Sequence, residues 1–357
     1  MQLVVRPASF RRLCLVLTCP LALGACTSTS GRSPMLHSGT PTGTRSSVTA
    51  GSASPGTVPR SAEAAVTLRV TALRWHLPVP LSREVALSAG GGLELVGGLT
   101  AGGDSTDAVL LLNPRTGVSR AWGRLTTAVH DAAGAVLGGQ GFVFGGGNTN
   151  SVATVQRLRP GGVSVHSGVL PRLRSDLVVA GVNGSAYVLG GYDGTLLDSS
   201  VLKTTDGYTF VAVGSLPVPV RYPAIAVLDD VIWVFGGQAA SGASSVIQRI
   251  DVNTGRSRVA GRLPSALTGA AALVLRGQVY LCGGLTPTGG TTAIRRFDPA
   301  GIRTTLVGHL PTALENSGSA VIADTGYLLG GEDPDTTSLV VQLRLTAPDA
   351  APSQVTR

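Results

Sequence analysis

Cysteine is scarce in this chain of 357 residues: there are four, and Cys14, Cys19 and Cys26 all fall near the N-terminus. Only Cys282 lies in the body of the sequence, so no disulfide framework can form there. Lysine is nearly absent and arginine supplies the positive charge. The apolar run Leu13 to Leu23 is too short to span a bilayer comfortably. The five histidines (His37, His76, His130, His166 and His309) are scattered without metal-ligand spacing. No catalytic set, cofactor fingerprint or metal site emerges.

The formal net charge of +8 invites a nucleic-acid reading. Its location argues against one. Seven arginines and a single acid, Asp349, lie outside residues 63–346. Of 28 Lys/Arg and 20 Asp/Glu, 21 and 19 remain within that span, a net of only +2. A basic stripe fit for a phosphate backbone is missing, and no nucleic-acid partner is expected.

What is present at the N-terminus is an export pattern. Arg6, Arg11 and Arg12 precede the short apolar run, which ends in small residues. Leu23-Gly24-Ala25-Cys26 resembles the bacterial lipobox. That resemblance implies a lipoprotein signal over residues 1–25, acylation of Cys26, and a membrane-anchored protein on the extracytoplasmic face. Arg11-Arg12 is also weakly similar to a twin-arginine signal, so the export route stays open. Residues 26–62 are rich in Ser, Thr, Gly and Pro, and they read as a disordered linker that cannot offset its ordering entropy.

Residues 63–346 carry an internal repeat. An apolar stretch ends in Gly-Gly at 97–98, 145–146, 190–191, 236–237, 283–284 and 330–331. A second mark, at Pro78, Thr126, Pro171, Pro217, Pro264 and Pro311, stands 20 residues before the second glycine each time. A period of about 47 residues is the size of a four-stranded propeller blade. The copy from Pro171 shows the plan: Leu177 to Val182, a turn at Asn183-Gly184, Ser185 to Leu189, Ser200 to Lys203, then Thr209 to Val213. Equivalent first turns are expected at Asp229-Asp230, Arg276-Gly277 and Thr325-Gly326. Phe142, Tyr187, Trp233, Tyr280 and Tyr327 share one register and read as core, with Glu94 in the first copy. Cys282 reads as a small buried apolar side chain.

Gly190-Gly191-Tyr192-Asp193-Gly194, with Leu197-Asp198-Ser199-Ser200-Val201 after it, resembles the kelch repeat. Trp122 occupies the kelch tryptophan position and Trp75 lies one residue off it, while the other copies depart from the pattern. The resemblance implies an all-β, six-bladed kelch-type β-propeller. The last copy is one strand short, so Val66 to Trp75 is expected to close it from the N-terminal side. Residues 347–357 read as a flexible tail.

Function should sit where the repeats differ. Four and five residues after the proline register stand Ser82-Arg83, His130-Asp131, Ser175-Asp176, Arg221-Tyr222, Thr268-Gly269 and Glu315-Asn316. Alternating strand directions bring these pairs to one channel mouth, beside the loops that follow Gly-Gly. The candidate ligand-binding residues are Arg83, His130, Asp131, Asp176, Arg221, Tyr222, Glu315 and Asn316. By resemblance to kelch domains that bind peptides, Arg83 and Arg221 would hold a carboxylate or another anion. The expected function is a cell-surface binding or scaffolding module for a protein, peptide or glycan, acting as a monomer. The alternative is a carbohydrate-modifying enzyme similar to sialic-acid epimerases, with Glu315 or His130 as acid/base. Copper chemistry resembling galactose oxidase is disfavoured, since Cys282 lies in a strand core.

Overall fold

The computed structural model describes residues 66–346. The lipoprotein signal at 1–25, Cys26 and the linker at 26–62, residues 63–65, and the tail at 347–357 lie outside the described residues. Everything described is strand, turn or loop, arranged as six sheets of four antiparallel strands around a central channel, the first of them extended by Gly162–Val163, which pairs in parallel with its outer strand Ser119–Arg124. The chain folds as a six-bladed β-propeller.

The innermost strands are Val85–Ala89, Ala133–Leu137, Val178–Val182, Ala224–Leu228, Ala271–Leu275 and Gly318–Ile322. We number the blades in that order. Each inner strand turns tightly into a second strand that ends in Gly-Gly, such as Ser185–Leu189 in blade 3, all five of whose residues are buried. Blade 6 is completed from the other end of the chain. Thr67–Ala72 pairs antiparallel with Val340–Thr346, with Thr67 opposite Thr346 and Ala72 opposite Val341. The ring therefore closes with an N-terminal outer strand, which covers an edge that would otherwise template pairing with another chain.

No single core fills the molecule. Apolar side chains fill the gaps between neighbouring blades, as with Leu189 and Val201 of blade 3 against Ile232 and Val234 of blade 4. Leu93, Leu95 and Leu112 of blade 1 meet Leu329 and Val340 of blade 6 in the same way across the closing seam. The five aromatics of the shared register are all buried there, and Cys282 is 1% exposed.

Two local expectations shift. Thr325-Gly326 is not a turn. Ile322 pairs with Thr325, which leaves Ala323-Asp324 as the two-residue connection and makes Thr325–Leu329 the strand. Gly326 is needed for packing instead, because a Cβ there would stand 2.7 Å from Leu273 Cδ1. In blade 3 the outer strand is Val211–Ser215 and starts later than Thr209. The Asp206 carboxylate accepts the amides of Tyr208 and Thr209, both at 2.8 Å, and holds them in a turn.

Gly-Gly has one physical role in all six blades. The second glycine donates its amide to a carbonyl of the next blade: Gly98 to Val129, Gly146 to Arg174, Gly191 to Val220, Gly237 to Leu267, Gly284 to Leu314 and Gly331 to Leu81, at 2.7 to 2.9 Å. The first glycine passes directly over that carbonyl. A Cβ on Gly97 or Gly190 would stand 2.5 Å from it, and both glycines have positive φ. The sixth clasp, Gly331 to Leu81, joins the last blade to the first.

Candidate functional site

The six variable pairs do gather at one mouth, and a closed circle of hydrogen bonds holds them there. Asp131 donates its amide to the carbonyl of Arg83, Asp176 to Asp131, Tyr222 to Asp176, Gly269 to Tyr222, Asn316 to Gly269, and Arg83 to Asn316. Each bond links one blade to the next, at 2.8 to 3.1 Å. To make it, all six residues adopt left-handed backbone, with φ between 52° and 61°. Asp, Asn and Gly tolerate that conformation, whereas Arg83 and Tyr222 are strained by it. The first member of each pair meets the residue after Gly-Gly in its own blade, as Arg221 does Gln238 and Glu315 does Glu332.

Below this circle the inner strands enclose a channel of about 220 Å³. Polar side chains lining it include Arg83, Glu84, Asp131, Asp176, Tyr222 and Asn316, while the wall beneath is mostly small and apolar. Arg221, His130 and Glu315 do not line it.

Arg83 spans the mouth. Its Nε donates to Glu332 Oε1 at 2.8 Å and its Nη2 to Glu332 Oε2 at 3.4 Å. Its Nη1 reaches Asp131 Oδ2 and the Tyr222 hydroxyl, both at 3.2 Å. Tyr222 belongs to blade 4, directly opposite blade 1, and its hydroxyl also bonds Asp131 Oδ2 at 3.3 Å. A polar bar thus crosses the opening. All three nitrogens of Arg83 are engaged. Burial works against the Arg83 charge, but the bond to Glu332 and the field of Asp131 outweigh it and raise its pKa. The same pairing outweighs burial at Glu332 and lowers its pKa.

Arg221 is differently placed. Its guanidinium lies over the rings of Tyr192 and Tyr222, at 4.9 and 5.5 Å from their centres. Nε donates to Gln238 at 3.0 Å and Nη1 reaches Asp176 Oδ2 at 3.4 Å, and none of these bonds uses Nη2. It lines a second groove of about 590 Å³, between the loops after Gly-Gly in blades 3 and 4, together with Tyr192, Leu196 and Ala239.

Unlike Glu332, the carboxyl groups of Asp131, Asp176 and Glu315 hold protons more tightly than ordinary carboxyls. Burial, and then the neighbouring Asp131 charge, push Asp176 up to about 6. Burial also raises Asp131. Burial raises Tyr222 too, reinforced by both carboxylates. His130 Nδ1 is 2.8 Å from Ser105 Oγ, and its Nε2 is 3.5 Å from Asp131 Oδ2. Burial and then Arg83 lower the His130 pKa, which favours the neutral ring. Glu315 is raised by burial and by Glu332.

Three residues of the site lie outside the set of eight candidates drawn from the sequence. Glu332 follows a Gly-Gly pair and neutralises Arg83. Glu84 follows Arg83 in the chain and is 6% exposed. One of its oxygens, Oε1, accepts the Gly318 amide at 3.0 Å, and the other, Oε2, is buried without a partner. Arg174 stands where the other blades carry Leu or Val, is 1% exposed, and pairs with Asp198 at 2.7 Å. A charged residue in an otherwise apolar register was the available signal for Arg174.

No family model matches this sequence, and no curated protein is found to be similar to it. Among solved structures there is a clear match. The propeller aligns with the structure of YjhT. The TM-score is 0.64 at 15% identity, over 76% of this chain and 98% of that one. At that identity the likeness establishes the six-bladed fold and nothing finer.

Proposed function

We propose that the protein is a binding module of kelch type, anchored through Cys26 on the extracytoplasmic face, which holds a peptide, glycan or partner protein at the channel mouth. One observation carries this reading. Six positions of one left-handed backbone conformation, locked in a closed circle, carry Arg83, Asp131, Asp176, Tyr222, Gly269 and Asn316, five residue types around a single opening. A rigid frame with varied contents is how repeat scaffolds separate shape from specificity. Within the face, Arg221 is the residue with hydrogen-bonding capacity to spare, and it stands between the mouth and the blade 3/4 groove. Arg83 supports the face by ordering Glu332, Asp131 and Tyr222.

The test compares the full chain with Arg83→Ala/Arg221→Ala in capture from a cell-envelope extract. The double variant should lose the captured ligand, and equal capture by both would discard this face. The second reading, a carbohydrate-modifying enzyme, is favoured by the Asp131–Asp176–Tyr222 cluster, where groups of raised proton affinity stand beside a channel. An enzyme should lose turnover on one conservative change, such as Asp176→Asn or Glu315→Gln. A binding face should lose affinity in steps across several substitutions.

A further inference from the structure

A second cleft, of about 840 Å³, lies along the seam where the ring closes, between blades 6 and 1. Gly91 and Ala323 line it, and they belong to the turns at the far ends of the two inner strands, away from the Arg83 mouth. Three arginines line it from three segments. Arg74 follows the closing strand, Arg115 sits in the turn after Ala108–Leu112, and Arg344 lies on Val340–Thr346. No Asp or Glu lines the cleft. Among the described residues the arginine–carboxylate pairs use Arg83, Arg124, Arg174, Arg221, Arg276 and Arg303, and none of these three. Asp324, next to Ala323 in the chain, accepts a bond from Arg276 Nε at 3.1 Å instead. We propose that this cleft binds a phosphate ester, at a site separate from the channel mouth.

Strand register gives the first reason. Arg344 stands directly opposite Arg69 of the closing strand, and opposite Thr325 on its other side. Like charges facing each other across antiparallel strands repel, and a bound anion turns that cost into attraction. The neutral polar groups supply the second reason, because they too present donors. Asn113 Oδ1 accepts the amides of Arg115 and Thr116, at 2.9 and 3.2 Å, which leaves its Nδ2 to donate. Gln342 Nε2 gives one hydrogen to the Tyr327 hydroxyl at 3.3 Å and keeps a second. The corresponding cleft between blades 2 and 3 is a contrast. It measures about 430 Å³ and carries one arginine, Arg157, and one carboxylate, Asp206, so its charge is balanced from within. Guanidinium forks on three segments offer more donors than one carboxylate can accept, whereas the oxygens of a phosphate can share them. The closing cleft is far larger than a bare phosphate ion requires. Half-buried Trp75, with Pro114 and Ile322, provides apolar wall for the organic group of an ester.

The experiment is calorimetric titration of the full chain with glycerol 1-phosphate, with dihexanoyl phosphatidylglycerol below its micellar range, and with glycerol as the uncharged control. At least one phosphate should bind with a Kd below about 1 mM, glycerol should not bind, and affinity should fall as salt is added. The two phosphates separate the sources of this chemistry: tighter binding of the monoester assigns a soluble phosphate, and tighter binding of the diester a lipid headgroup. Arg115→Gln/Arg344→Gln should weaken binding by about tenfold or more. Both side chains are exposed, so the free variant should keep its melting temperature, or gain slightly as the Arg69–Arg344 repulsion is lost. Bound phosphate should raise the melting temperature of the original chain and not that of the variant. No binding of either phosphate up to about 10 mM, equal binding of glycerol, or undiminished affinity in the variant would each overturn the proposal. A free variant that melts lower would show that these arginines already have partners in the fold, and would overturn it as well. Capture by the channel mouth is tested through Arg83 and Arg221, so failure here leaves that reading standing.

Discussion

Left-handed backbone destabilises an arginine or a tyrosine by roughly 1 kcal/mol or more, yet Arg83 and Tyr222 both adopt it, at φ 57° and 54°. The circle of hydrogen bonds compels them, and their contact across the channel mouth gives the strain a use. The same register holds Asp131, Asp176, Gly269 and Asn316, residues that favour this conformation. That bias was visible in the sequence, although its meaning was not. Gly190 sits equally tightly, since a Cβ there would stand 2.5 Å from the Val220 carbonyl at φ +63°. Gly190→Ala should destabilise the fold by about 2 kcal/mol or more. Gly181→Ala, in the same blade with open space around it, should be neutral or stabilise by about 0.5 kcal/mol; thermal unfolding of the two variants decides. Asp176 makes a second prediction. Its folded-state pKa of about 6 lies above the ordinary 3.8, so the folded chain holds this proton more tightly than the unfolded one. Asp176 therefore supports folding at low pH and withdraws that support as pH rises through about 4 to 6. Asp176→Asn should flatten the melting temperature across that window, and an unchanged slope would refute the assignment.

At the scale of the strand, the closing element is the most exposed to test. Thr67–Ala72 is the outermost strand of blade 6 and contributes the six paired positions opposite Val341 to Thr346. A chain beginning at Leu73 should keep its inner strands but present Val340–Thr346 as an open edge. Self-association should follow, seen as larger species in size-exclusion chromatography. A monomer of unchanged melting temperature would show that closure adds nothing. Strand existence and order were legible because the Gly-Gly and proline registers repeat without slipping. Strand ends were less so. The Asp206 carboxylate delays one strand, and Gly326, which reads as a turn residue, is there to make room for Leu273. Turn-forming composition and close packing both select glycine, and one sequence does not separate them.

Across the whole molecule, closure is made three times over. Six Gly-Gly clasps, six amides around the mouth and apolar packing between every pair of neighbouring blades all run full circle. No blade can leave without breaking both of its seams. Hydrogen exchange should therefore find the amides of Arg83, Asp131, Asp176, Tyr222, Gly269 and Asn316 among the slowest and moving together. Faster, independent exchange of any one would show a blade that opens alone.

The sequence by itself determined the number of blades, the closing strand and the six positions that meet at the mouth, since periodic backbone geometry leaves periodic residues. It also named eight candidate residues, of which Arg83, Asp131, Asp176, Tyr222 and Asn316 line the channel and His130, Arg221 and Glu315 stand beside it. Only the tertiary structure decided their partners. Arg83 is neutralised by Glu332, which is 249 residues away in the chain, and Glu84 is left with a buried oxygen facing no donor. Side-chain pairing depends on distances across the channel between residues of different blades, and a repeat pattern carries no record of those distances.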